Sequence, residues 1–135
     1  MKVKTGKPAS LDSLLSYYRV AQRKYDVDWS VLAAINMVES LFGRVRSDSE
    51  AGGRGPMQFE PATWDEYGLG GDIEDPRDAI LAAANYLAAS GAPSDYSQAL
   101  LAYDASSDYG DAVQLLAKAM DQDEDLITAF YFWTP

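Results

Sequence analysis

Glu39 is the residue of this chain best placed for acid–base chemistry, because it falls on a helix at a position where an apolar side chain is the rule. Its surroundings are V-D-W-S-V-L-A-A-I-N-M-V-E-S-L-F-G, residues 27–43. Winding this segment at about 3.6 residues per turn sets Glu39 between Leu32 and Ile35, on an arc that also carries Val31 and Phe42. A carboxyl group partly buried among aliphatic side chains resists ionisation, so its pKa rises toward neutrality, as a general acid working near neutral pH requires. Position alone leaves two ordinary roles open. An acid near a helix end can reach solvent, and it can pair with Arg44 or Arg46 close by. The chain has no Cys and no His, which removes thiolate and imidazole zinc ligands and the triads built on Cys or His. Acid–base work therefore falls to carboxylates, Tyr or Lys.

The elements that must position Glu39 read as helices. Ser10 is suited to cap a first helix running to about Lys24, with Leu11, Leu14, Leu15, Tyr18 and Ala21 or Gln22 at helical spacing. Asp26 or Asp28 caps a second, which bears Glu39 and stops at Gly43. Residues 43–60, G-R-V-R-S-D-S-E-A-G-G-R-G-P-M-Q-F-E, hold four Gly and one Pro. They predict turns or a short β ribbon before a helix that begins near Pro61, and loops of this kind often build sites. Asp75, Pro76 and Asp78 supply an N-cap, an N1 proline and a first-turn acid for an alanine-rich helix that ends at Gly91. Two or three more helices follow, over about 94–103, 108–120 and 123–132. The expected fold is mainly α, one domain over residues 1–135 with a Gly-rich loop or short ribbon between helices.

Composition narrows the partners. The 135 residues are 47% hydrophobic, enough for one domain with a real core. Eleven Lys and Arg stand against 21 Asp and Glu, a net charge of −10 that argues against nucleic acid and against a basic membrane anchor. Residues 1–24 hold six bases and one acid, and the remainder five bases and twenty acids, which reads as a solvated acidic surface. No stretch approaches the roughly 18 apolar residues of a membrane helix. The start M-K-V-K-T-G-K-P carries charges with no apolar run behind it, so an export signal is not expected in the sequence as given. An excised domain, a mature form with a replaced start, and exit from the cell by another route all fit that start. A monomer is the expectation.

Four blocks occur in a fixed order: V-E-S at 38–40, G-P-M-Q-F-E-P-A-T-W at 55–64, D-P-R-D-A-I with A-N-Y-L at 75–87, and A-L-L-A-Y-D at 99–104. Each is weak alone. Together, over roughly residues 28–118, they resemble the soluble lytic transglycosylase and goose-type lysozyme family, particularly its actinobacterial domains. The resemblance implies a lysozyme-like fold and cleavage of the MurNAc to GlcNAc bond of peptidoglycan glycan strands. It makes Glu39 the catalytic acid, which then serves as base while an anhydromuramic ring closes. It implies no metal or organic cofactor, and a secreted or cell-wall-associated location.

The same resemblance carries further roles onto individual residues. Met57 and Gln58 match the family's loop facing the cleft, where an amide can bond a sugar acetamido group or position Glu39; Met57 equally suits the core. Ser40 matches the serine after the acid, able to donate near the leaving group or to cap carbonyls. Tyr103 matches a tyrosine that points toward the acid. Tyr86 and Tyr109 are further candidates, and Trp29 and Trp64 read first as core.

Three positions depart from the family pattern. Asp104 stands where Asn is usual and can raise the pKa of Glu39 further if it is close and charged. Gly110 stands where an aliphatic residue is usual. Glu60 stands where transglycosylases carry an apolar residue and goose-type lysozymes an aspartate. Glu60, or else Asp48 or Glu50, could hold a water for inverting hydrolysis, making a muramidase the alternative activity. Glu60 could equally cap the helix at Pro61 or pair with Arg54. A catalytically inactive wall-binding or structural module is the alternative of another class.

Overall fold

Helix α2 (Trp29–Ser40) is the element around which α1 (Leu11–Tyr25), α4 (Pro76–Ala89) and α6 (Ser107–Gln122) are packed. Its residues 30–36 are all buried, and a helix apolar on nearly every side is stable only when other elements cover it. The chain is completed by α3 (Pro61–Tyr67), α5 (Tyr96–Tyr103) and α7 (Asp125–Trp133). The computed structural model describes residues 3–133, so the first two and last two residues of the expected 1–135 domain lie outside it. The mainly α class read from the sequence is what the chain adopts. Among the described residues no helix is long and apolar enough to cross a membrane.

Local chemistry explains most helix boundaries. Ser10 accepts a hydrogen bond from the Ser13 backbone and Asp75 from that of Asp78, as the sequence predicts. Asp95 does the same for Gln98, which starts α5 at Tyr96 instead of near Ser94. Asp28 occupies the N-cap of α2 without a side-chain cap bond. The alanines of α4 serve close approach: Ala79, Ala82, Ala83 and Ala84 are fully buried, and α1 lies across this helix. A Cβ at Gly110 would come 3.3 Å from the Leu100 Cβ, so the glycine lets α6 close on α5.

One expectation is corrected. Helix α2 ends at Ser40, before Gly43, because the Ser40 hydroxyl donates to the Pro56 carbonyl at 2.6 Å and accepts from the Gly43 backbone at 2.9 Å. The chain then runs through Leu41, Phe42 and Gly43 at φ of 53°, 62° and 91°. Left-handed geometry costs about 1–3 kcal/mol for a non-glycine residue, and full burial of the Phe42 ring offsets it. Of the turns or short β ribbon expected over residues 43–60, the chain adopts turns with two isolated bridges: Arg54 with Phe59, closed by backbone bonds of 2.9 and 3.0 Å, and Val45 with Thr5.

A buried polar chain ties the core to this loop. The Tyr18 hydroxyl donates to Asn36 Oδ1 at 2.6 Å, and Asn36 Nδ2 donates to the Pro56 carbonyl at 3.2 Å. Tyr18 and Asn36 are both fully buried. Tyr18→Phe would leave the Asn36 carbonyl without its donor, at a cost of about 1–3 kcal/mol. The expected result is a Tm lowered by about 4–10 °C in thermal melts; an unchanged Tm would show that this network carries no stability.

Candidate active site

The cleft beside Glu39 is built from four segments that meet over the end of α2. The loop before α3 contributes Ser49, Ala51, Gly53, Gln58, Phe59 and Glu60; α3 and α4 contribute Thr63 and Tyr86; the end of α5 contributes Ala102, Tyr103 and Asp104. With Glu39 these residues enclose about 320 Å³. The lining carries three carboxylates and no Lys or Arg.

The loop keeps its shape through its own backbone. Gly55 has φ of 75°, and a Cβ there would lie 1.9 Å from the Ile73 carbonyl oxygen, so a side chain is excluded twice over. Gln58 adopts φ of 53° without being glycine, and its amide donates to the Gly55 carbonyl at 3.0 Å. The Met57 carbonyl accepts from the Tyr103 hydroxyl at 2.6 Å. Behind the loop the rings of Trp64, Phe59, Tyr86 and Tyr103 form a continuous wall with centroid separations of 5.2 to 6.3 Å. Tyr67 extends it from Tyr86. Exposed portions of such a wall can stack on sugar rings.

Glu39 is partly buried at the cleft, and its pKa is raised from 4.5 to about 7. Burial is the main cause; a hydrogen bond from Tyr109 acts in the opposite sense, and the charge of Asp104 adds to the rise. The Tyr109 hydroxyl lies 2.9 Å from Glu39 Oε2. Neither nearby arginine neutralises the acid. Arg44 donates to the Leu41 and Tyr131 carbonyls and lies over the Tyr131 ring, and Arg46 donates to the Gly43 and Lys7 carbonyls. A carboxyl group with this pKa is substantially protonated near neutral pH and can give up its proton there.

The other sequence candidates divide. Gln58, Glu60, Tyr86 and Tyr103 line the cleft. Ser40 and Met57 do not: both are buried, Ser40 holding the Pro56 carbonyl and the Met57 side chain filling the core. Burial excludes their side chains from contact with a sugar. The tyrosine that touches the acid is Tyr109, in the first turn of α6, while Tyr103 spends its hydroxyl on the loop. Glu60 sits at the N-cap of α3 with no side-chain cap bond, and Arg54 pairs instead with Asp48, at 3.7 Å. Asp48 and Glu50 lie outside the cleft lining. Trp64 and Trp29 are half-buried against the core. Among the described residues no group of three or more Asp or Glu is arranged to hold a metal ion.

Residues 16–125 match the transglycosylase SLT domain. Over 82 residues, 61% of this chain, the sequence is 37% identical to a protein of Thiobacillus denitrificans named membrane-bound lytic murein transglycosylase F. The chain spans 17% of that relative's length.

The raised pKa of Glu39 links stability to pH. Folding strengthens proton binding at this group, so its contribution to stability is complete below the unfolded value of 4.5 and is lost as pH rises through about 7. Glu39→Gln carries no ionisable group there. The Tm of Glu39→Gln relative to the parent should therefore climb between about pH 4.5 and pH 8, then level off. A difference that stays constant across this range would refute the raised pKa.

Proposed function

The chain belongs to the transglycosylase SLT domain family, and from that premise we propose that it is a peptidoglycan lytic transglycosylase acting on the MurNAc to GlcNAc bond, with Glu39 as its acid and base. The observation that carries this reading is a partly buried carboxyl group, its pKa raised to about 7, on the wall of an open cleft. In the first half-reaction Glu39 gives its proton to the glycosidic oxygen as the bond to the muramic anomeric carbon breaks. The positive charge that develops at that carbon is relieved by the neighbouring acetamido group of the substrate, so no second protein carboxylate is needed. In the second half, the Glu39 carboxylate takes the proton of the muramic primary hydroxyl, whose oxygen bonds to the anomeric carbon. The product is an anhydro ring, Glu39 is protonated again, and no water is consumed.

Gln58 and the rings of Tyr86 and Tyr103 would then contact the glycan, the amide through an acetamido group and the rings by stacking. The rigid loop suits this role, because near-attack geometry is lost when a site can relax. We assign the protein a place at the cell wall, in keeping with the name of its relative, and a monomeric state.

Mass spectrometry of muropeptides released from purified peptidoglycan tests the reaction. The parent should release anhydromuramic ends, and Glu39→Gln should release them about 10²- to 10⁴-fold more slowly. Glu60→Gln should leave the product anhydromuramic. Reducing ends that vanish in Glu60→Gln would transfer the activity to hydrolysis, and no release by the parent from any wall type would leave a binding module.

A further inference from the structure

We propose that Tyr109 is the positioning residue for Glu39: its hydroxyl holds Oε2 from the α6 side, so that Oε1 is the oxygen that hands a proton to the glycosidic oxygen and later takes one back. This role rests on the lytic reading above.

The bond is a neutral donor on a carboxyl oxygen at 2.9 Å, made between residues 70 positions apart. Tyr109 itself is fixed by its neighbours. Its ring lies parallel to that of Tyr103, 6.5 Å away and 2° out of plane. Tyr103 is anchored in turn to the Met57 carbonyl. The residue after Tyr109 is Gly110, whose missing side chain lets α6 approach Leu100 on α5. A Cβ there would lie 3.3 Å from the Leu100 Cβ, so α6 or Leu100 would have to give by a few tenths of an ångström. The orientation of the Glu39 carboxyl is thus inherited from the cleft loop through two stacked rings and a glycine.

The chemistry needs such a partner. Glu39 must bind a proton well enough to be an acid at neutral pH, yet exist as a carboxylate halfway through the reaction. Burial and Asp104 favour the protonated form, and among the described residues acting on Glu39 Tyr109 alone favours the carboxylate. The groups that face it are Tyr103 from α5, Asp104 just beyond that helix, and Tyr109 from α6, with no cation among them. Burial and the nearby Glu39 push the Tyr109 hydroxyl far above the ordinary tyrosine value. It therefore remains a donor through both half-reactions and does not compete as an acid. A fixed neutral donor stabilises charge as it forms without having to reorganise.

The test is a carbon-13 NMR titration of the full chain carrying glutamate labelled at the side-chain carboxyl, with Glu39→Gln identifying the resonance. This reads Glu39 without substrate, so it is independent of turnover. The parent should titrate near 7 and Tyr109→Phe about one unit higher. The phenylalanine keeps the ring stacked on Tyr103 and so retains the packing. A site merely loosened by the substitution would admit water and move the value down, so the direction separates positioning from damage. On peptidoglycan, kcat should fall about 10- to 100-fold with KM unchanged. A Glu39 titration that is unmoved or lowered in Tyr109→Phe overturns the assignment. An upward shift in a chain that releases no anhydromuramic ends in either form would keep Tyr109 in its role and remove the lytic reading instead.

Discussion

The Pro56 carbonyl oxygen is the point on which the site depends. It lies in a turn that no helix or sheet supports, and it is buried, so it must be satisfied by side chains. Two residues one helical turn apart on α2, Asn36 and Ser40, donate to it. The next carbonyl, of Met57, takes its donor from Tyr103 at the end of α5. Consecutive carbonyls of one loop are therefore gripped from two helices. Glu39 precedes Ser40 by a single residue, so the grip that fixes the loop also fixes the acid relative to it. The end of α2 follows from the same contact, since the Ser40 hydroxyl that reaches across to Pro56 also takes the Gly43 amide and turns the chain left-handed.

Much of the scaffold was legible because its signals are local. Ser10 and Asp75 cap the helices they precede, Pro76 opens α4, and the apolar run around Ile35 marks a buried helix with one acid in the wrong place for decoration. The raised pKa of that acid, with a contribution from Asp104, also follows from residue types and position. What escaped depends on contacts distant in sequence. Ser40 and Met57 stand inside blocks that look functional, and only the fold reveals that they face inward to tie α2 to the loop. Helical spacing cannot say which of Tyr103 and Tyr109 meets Glu39, because they stand on different helices whose approach is set at Gly110. The four glycines and proline of residues 43–60 predict turns correctly, but composition cannot tell a ribbon from isolated bridges.

An acid held this way conflicts with stability, and the surroundings show how the conflict is managed. A stabilising choice would place Arg44 or Arg46 beside Glu39, which would make it an ordinary ion pair with a depressed pKa and no proton to give at neutral pH. Both guanidinium groups are instead occupied by backbone carbonyls on the far side of the turn. Among the described residues the groups left around the carboxyl are neutral or of its own sign, so the folded chain bears the desolvation of Glu39 with a single hydrogen bond as relief. That arrangement is tolerable because the scaffold beneath is stiff: α2 is enclosed by three helices and α4 presents bare alanines to α1. Rigid packing resists the relaxation that would let water reach the acid and return its pKa to the ordinary carboxylate range. Strain at Gln58 and at the Leu41–Phe42 turn belongs to the same balance, since left-handed residues persist only where surrounding contacts determine them. The core of this protein therefore acts on the chemistry indirectly, by keeping one carboxyl group less hydrated than it would be on any looser fold.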